Sequence, residues 1–573
     1  MTSARIRWIG GPVLRAQTSG AFRMREAVSV GKAGLLGEVV RLDGDEIVAQ
    51  VYEDTTGLAP GAPVTGSGEL FGIRLGPGLL GNIYDGLLRP LAGEVSREFD
   101  FVPSVAAGSR IGGGAVFGRA GAQACLVPPD VEGEVLAVGG AGRYRDDAPV
   151  LSVRTPAGAV REVALAHFWP VRRPRPVRER LPSDEPLVTG QRILDSLFPV
   201  ALGGKAAIPG GFGTGKTVLL ETLAKACSAD VIVYLGCGER GNEMAGVLAE
   251  LPNLDDPRSG RPLMERTVII ANTSNMPVAA REASIYSGVT VAEYFRDQGL
   301  NVALMADSTS RWAEALREIS ARLGELPGES GYPPYLASRL ADFYERAARV
   351  RTLGGTLGSV TLLGSVSPPS GDLSEPVTSH TRRYVRSFWA LDTRRAHARF
   401  YPAVDPLGSY SEDAGGLAGW WGRVYAGLPR EVRSPASGPN EWVELRRSLL
   451  TLLQEHARLE RMARIIGKDA LPPRQQLTLF CAELANEALL RQSAFSEKDL
   501  LCGPQRQALM LRIVSRFVEL AHRALEAGAA LARITSLGCV RRLQRMKDEI
   551  GDAELERLVE LAARMEGEFE HAA

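Results

Sequence analysis

Residues 206–226 read "AAIPGGFGTGKTVLLETLAKA", and Gly210 to Thr217 within them fit the spacing G-x-x-x-x-G-K-[ST] of a phosphate-binding loop. Gly211, Gly213 and Gly215 allow the sharp backbone bends that turn consecutive N–H groups toward phosphate oxygens. A helix opening near Thr217 adds the positive end of its dipole. Lys216 is expected to reach the outer phosphates and the Thr217 hydroxyl to bind Mg²⁺. Phe212, Thr214 and Val218 complete the stretch expected to touch nucleotide. The apolar approach "AAIP" and the helical run after the loop supply the strand and helix that a chance match lacks.

A held triphosphate needs a carboxylate to complete the metal shell and a group to activate water. "NVALMADSTSRW" places Asp307 after an apolar run, where it is the candidate for the Mg²⁺ shell; an ordinary helix N-cap is the alternative. "DVIVYLGCGERGNE" places Glu239 just past a second strand, and ligands of parallel sheets lie at carboxyl strand ends. Glu239 is the candidate for orienting the attacking water, with Glu243 behind it near the metal shell and Arg240 available to developing phosphate charge. By spacing alone, a surface salt bridge remains open for Glu239.

Those residues must be positioned by several domains, because 573 residues exceed what one core usually serves. Residues 1–75 alternate β-branched runs with glycine turns and predict a small barrel or sandwich. Residues 76–184 form a linker and a β-rich insertion, with β patterning from about residue 110. The run "WPVRRPRPVRERLPSDEPLV" predicts an extended, proline-stiffened linker with solvated arginines. Over 185–435, apolar strands alternate with amphipathic helices, the pattern of a parallel sheet covered by helices. Residues 436–573 carry helical periodicity, and their leucine and methionine stripes read as packing surface.

Lysine plus arginine and aspartate plus glutamate number 67 each, so no net charge draws the chain to nucleic acid. The six cysteines show no C-x-x-C and are expected to be reduced and buried. "MTSARIRWIG" has no signal-peptide pattern, and no apolar run reaches the ~18–20 residues of a membrane helix. The expectation is a cytoplasmic protein held at a membrane only through other chains.

The strings "GFGTGKT", "YLGCGERGNEM", "ANTSNMPVAAREASIYSGVTVAEYFRDQG", "ALMADSTSRWAEALREIS" and "SVSPPSGDLSEPVT" resemble the catalytic A subunit of V-type/A-type rotary ATPases. The likeness extends to "GPGLLGNIYDGLLRPL" and "LVPPDVEGEVLAVGGAG" and covers most of the chain. It implies an N-terminal β-barrel, a bulge-like insertion, a RecA-like domain and a helical C-terminal domain. It also implies a ring of alternating A and noncatalytic B subunits, central and peripheral stalks, and a membrane sector that moves protons or sodium ions. By the same resemblance Lys216 and Thr217 serve phosphate and Mg²⁺, Glu239 is the catalytic glutamate, Arg240 lies beside it, and Asp307 is the strand-end acid. Arg311 matches an arginine near the phosphates, while Tyr401 in "RFYPAVDP" and Phe495 in "RQSAFSEKD" match the adenine slot. For both aromatics an ordinary core position is the alternative.

The chain departs from the pattern in three places. Gly211 stands where many relatives have Pro or Ala, Thr214 where they have Ser or Cys, and "QSAF" replaces a "QNAF"-type motif. "YPAVDPLGSYS" is closer to the F-type β subunit, but neither that protein nor the export ATPases carry the insertion that pushes the loop out to residue 210. An RNA translocase similar to Rho would need a basic channel, and a noncatalytic subunit would be expected to lose Lys216 or Glu239.

Overall fold

Short valine- and isoleucine-rich runs, each too short to bury a face alone, curl into a closed antiparallel barrel. Its strands run Ser3–Gly10, Val13–Thr18, Glu46–Val51, Leu35–Asp43, Glu26–Val30 and Pro63–Leu70, and the last pairs back with the first. Closure leaves no open edge, and Ile6, Leu14, Val28, Val39, Ile47 and Val64 fill the interior. The barrel, not the sandwich, is therefore the form adopted. The computed structural model describes residues 2–91, 93, 95–432 and 440–571. The expected 435/436 boundary lies outside the described residues.

Two four-stranded sheets follow, in the orders Arg110–Ile111, Gly133–Val138, Pro149–Arg154, Val160–Ala164 and Gln123–Leu126, Val116–Ala120, Glu98–Pro103, Gly142–Arg145. Phe101, Phe117, Val135 and Val153 form their shared core. These two sheets start at Glu98, earlier than the β patterning expected from about residue 110. The short alternation in "EFDFVP" is enough, because Phe101 is buried and meets Tyr144 edge-on at 5.9 Å.

Contacts divide the chain into two compact units, Met1–Pro182 with Ala229–Pro368 and Asp372–Tyr384, and Ser183–Ser228 with Pro369–Gly371 and Val385–Ala573. In the first, Ile83–Tyr84, Thr267–Thr273, Val231–Glu239, Asn301–Asp307 and Leu357–Val366 pair parallel in that spatial order. All nine residues of Val231–Glu239 are buried, as a parallel strand covered on both faces requires. The 20-residue helix Val278–Asp297 packs on this sheet and buries nearly its whole surface.

The arginines of the 170–182 linker are not uniformly solvated, which corrects the expectation. Arg173, Arg178 and Arg180 are exposed, but Arg175 is buried, and Arg172 keeps only 13% of its side chain exposed. Both are held by carboxylates distant in sequence, Arg172 by Glu38 and Glu282 and Arg175 by Asp297. Burial of such ions requires pairing of this kind.

In the second unit the strand Lys205–Pro209 pairs parallel with Ser387–Phe388 and leads into the helix Lys216–Ala226. The helices Glu441–Ile466, Pro473–Ala485, Pro504–Glu526, Gly538–Glu549 and Leu555–Glu570 build the C-terminal region. Two of them start on proline, whose missing N–H costs nothing at that position. Their stripes do pack, with Leu477, Leu509, Phe517 and Leu558 buried. Among the described residues no helix is long and apolar enough to cross a membrane.

Candidate functional site

In the loop of the second unit, two of the three glycines expected to bend the backbone, Gly213 and Gly215, do so through positive φ, while Gly211 does not. Gly213 and Gly215 have φ of +76° and +84°, a left-handed region in which a side chain is strained, and Gly215 caps the helix that begins at Lys216. Thr214 is buried and its hydroxyl donates to the Gly211 carbonyl at 2.8 Å. Lys216 Nζ donates to the carbonyls of Gly210 and Gly211 at 2.7 and 2.8 Å, which holds the ammonium over the loop. Phe212 and Val218 are exposed, and Thr217 is half-buried at the helix start.

Tyr401 comes to the same loop: a Cβ built on Gly215 would lie 3.3 Å from the Tyr401 ring. Gln492 donates its backbone N–H to the Tyr401 carbonyl at 2.9 Å, tying the segment that carries Phe495 to Tyr401. Tyr401 is 41% and Phe495 98% exposed, so neither is the ordinary core aromatic that remained open. Phe495 owes its place to the residues around it. Asp499 accepts from the Ser493 N–H at 2.7 Å and from the fully buried Arg192 at 2.6 Å.

The acidic candidates belong to the first unit, where neighbouring parallel strands end side by side. Val231–Glu239 and Asn301–Asp307 are adjacent, with Gly236 opposite Asp307, so each strand delivers a carboxylate at its carboxyl end. Asp307 is buried; it accepts from Ser365 Oγ at 2.5 Å and from the Tyr234 hydroxyl at 3.5 Å. The N-cap position of the next helix is Ser308, so Asp307 is not an ordinary cap.

Glu239 is only 8% exposed, which removes the surface salt bridge as its role. Burial, the charge of Asp307 and a hydrogen bond with Glu243 push its carboxyl up to about 8, while Arg311 pulls the other way. Arg311 itself pairs with Glu314 at 3.1 Å on the helix Thr309–Leu323. Arg240 is exposed at the N-terminus of the helix Gly241–Glu250, whose first turn carries Glu243. Thr217 in the second unit and Asp307 in the first each carry a hard oxygen donor of the kind Mg²⁺ takes. A metal completed by substrate phosphates needs no cage of three carboxylates, and none occurs among the described residues.

Sequence reading missed Arg281. Gly238 has φ +79°, and a Cβ built there would lie 2.6 Å from Arg281 Cδ and 3.1 Å from Arg311 Cβ. Arg281 donates to the Ser274 carbonyl at 2.9 Å, and the Ser274 N–H donates to the Glu239 carbonyl at 2.9 Å. The only sequence signal was one arginine in the alanine-rich run "VAAREAS". Tyr234 and Ser365, which hold Asp307, gave no signal in sequence beyond strand patterning.

Family models match in chain order. They are the ATP synthase alpha/beta family beta-barrel domain at residues 8–68, its barrel-sandwich domain at 92–172 and its nucleotide-binding domain at 190–411. The C-terminal domain of V and A type ATP synthase matches at 436–535. The A subunit of the A-type ATP synthase of Thermococcus sibiricus is 49% identical over 564 residues, 94% of each chain. The chain belongs to the V- and A-type ATP synthase A-subunit family. The V-type ATP synthase alpha chains of Anaeromyxobacter dehalogenans and Halothermothrix orenii are 50% and 47% identical, covering 94% and 98% of this chain and 94% and 97% of theirs. Among solved structures, the type III secretion ATPase EscN of enteropathogenic E. coli aligns at a TM-score of 0.65 with 24% identity, over 89% of this chain and all of that one. That likeness is one of fold. Family membership brings the N-terminal barrel, the central nucleotide-binding domain and the helical C-terminal domain into one account.

Proposed function

We propose that this chain is the catalytic subunit of a rotary V/A-type ATPase, in which ATP hydrolysis or synthesis is coupled to proton or sodium transport across a membrane. The observation that carries the reading is Glu239, a buried carboxylate at a parallel-strand end beside Asp307, in a family member with an intact Gly210–Thr217 loop. In this reading Lys216 and the loop N–H groups hold the phosphates of ATP or ADP. Tyr401 and Phe495 flank the adenine. Glu239 orients and takes a proton from the attacking water, and Arg311 stabilises charge developing on the phosphates. Thr217 and Asp307 would hold Mg²⁺, with Glu243 behind them; bound there, Mg²⁺ neutralises phosphate charge.

The site is completed by a noncatalytic B subunit that supplies an arginine in trans within an alternating ring, so the isolated chain turns over slowly. Closure of the interface around nucleotide excludes water and couples chemistry to subunit position. Central and peripheral stalks and a membrane sector complete the complex, which places the chain on the cytoplasmic membrane face. The proposed domain limits are 1–75, 76–184, 185–435 and 436–573.

The test uses rings assembled from this chain and a noncatalytic subunit. Glu239→Gln should keep nucleotide affinity within about twofold while turnover falls by a factor on the order of 10² or more. Equal turnover in the variant ring would remove Glu239 from the chemistry.

A further inference from the structure

The Arg172 guanidinium is gripped by two carboxylates on adjacent edges, with Nη2 shared between them. Its Nε and Nη2 donate to Glu38 on a barrel strand at 3.0 Å each, while Nη1 and Nη2 donate to Glu282 at 2.9 and 2.6 Å. The Tyr52 hydroxyl closes the barrel side by donating to Glu38 at 2.6 Å, and the Tyr286 ring lies 4.7 Å beneath the guanidinium. Glu38 and Glu282 keep 1% and 6% of their side chains exposed.

Adhesion between barrel and helix does not require this arrangement. The group is a buried ion cluster with Arg25 at its edge, 3.6 Å from Glu38; such a cluster pays a desolvation cost, and apolar side chains of like volume often hold as well or better. What a two-sided fork adds is direction, since paired donors on a planar group set both the axial position and the rotation of the helix they grip.

Glu282 is the fifth residue of Val278–Asp297, just past the first turn, and the contacts around it lead to the candidate water-activating carboxylate. Arg281, one residue before Glu282, presses on Gly238, the residue before Glu239, and binds Ser274, which in turn binds the Glu239 carbonyl. The Glu282 carbonyl accepts from the Trp312 indole at 3.1 Å, and Trp312 follows Arg311. A shift of this turn therefore moves both arginines that bracket Gly238.

We propose that Arg172, through its two-sided hold on Glu282, is a positioning residue for Glu239. This rests on the reading of Glu239 as the group that orients water. The linker 170–182 thus acts as a strap that fixes catalytic register from the barrel side. Misplacement of a reacting group by ~1 Å costs up to about 10²-fold in rate, so small movements of the turn are enough.

The test uses assembled rings carrying Glu282→Gln, Arg172→Lys, or the triple change Glu38→Met, Arg172→Met and Glu282→Met. Turnover, KM for MgATP, nucleotide affinity and melting temperature are read for each. Glu282→Gln should lower kcat about tenfold or more, with KM and nucleotide affinity within about twofold. The triple variant should show the same loss of kcat, with KM and nucleotide affinity again within about twofold, at a melting temperature lowered only by the Glu38 contacts that Tyr52 and Arg25 lose. Arg172→Lys, which keeps the charge but loses the fork, should fall between. The proposal is overturned if Glu282→Gln keeps kcat within about twofold of the parent, whatever its melting temperature, or if kcat and nucleotide affinity fall together. Glu282→Gln decides the matter if the triple variant does not assemble. Failure of the underlying reading looks different: Glu239→Gln would then match the parent ring.

Discussion

At the scale of single residues, the proposed chemistry rests on Glu239, a carboxylate whose environment opposes its ionisation. Glu239 must lose its proton to accept one from water, and burial, Asp307 and Glu243 all resist that loss. The deprotonated form is the active one, so kcat/KM should rise with pH through a window well above the ordinary glutamate value of about 4.3. Replacing Glu243 by Gln removes one group that resists ionisation and should move that limb to lower pH. A pH profile of kcat/KM for the two rings decides it, and an unmoved limb would deny Glu243 its place beside Glu239. The placement of the loop before a helix and of Glu239 and Asp307 at strand ends was legible in the sequence, because glycine spacing and apolar strand runs mark such positions locally. Arg281 was not, because its role comes from a missing Cβ at Gly238, 43 positions earlier, and nothing local in "VAAREAS" reports that contact.

At the scale of elements, strands and helices followed their periodicity, while the linker concealed its role. Proline and arginine alternate in the same way whether the arginines face water or carboxylates on other elements. The partners of Arg172 lie 134 and 110 positions away, beyond any local pattern. A pH sensitivity is expected just before the strap, where His167 on the strand His167–Pro170 meets the strap residue Arg175. His167 Nε2 lies 2.9 Å from the Arg175 guanidinium, and desolvation of the ring followed by that charge holds its value well below the usual 6.5. The unfolded chain binds a proton near pH 6.5 that the folded chain refuses. Stability is therefore retained above about pH 6.5 and declines as pH falls below it, by up to about 1.4 kcal/mol per pH unit. Melting temperature measured from pH 8 to pH 5 should drop on the acid side, and His167→Gln, which keeps an acceptor for Arg175, should flatten that drop. A parent curve that is flat through this window would contradict the assignment.

At the scale of the whole molecule, four family-model matches follow one another in a fixed order along the chain. The barrel and insertion matched the β patterning because short strands bury their apolar faces either by closing, as in the barrel, or by packing two sheets on a shared core, as in the insertion. The helical C-terminal region was equally legible from its apolar stripes. Partner subunits leave no comparable trace in one chain's periodicity, and only family resemblance brings them in. The most direct test is a structure of the ring assembled with MgADP and aluminium fluoride. A Glu239 carboxylate oxygen within about 3 Å of a water in line with the fluoride group, whose magnesium nucleotide is held by Lys216 and Thr217, is the predicted result. Finding the Glu239 carboxylate turned away, with another group on that water, would contradict it.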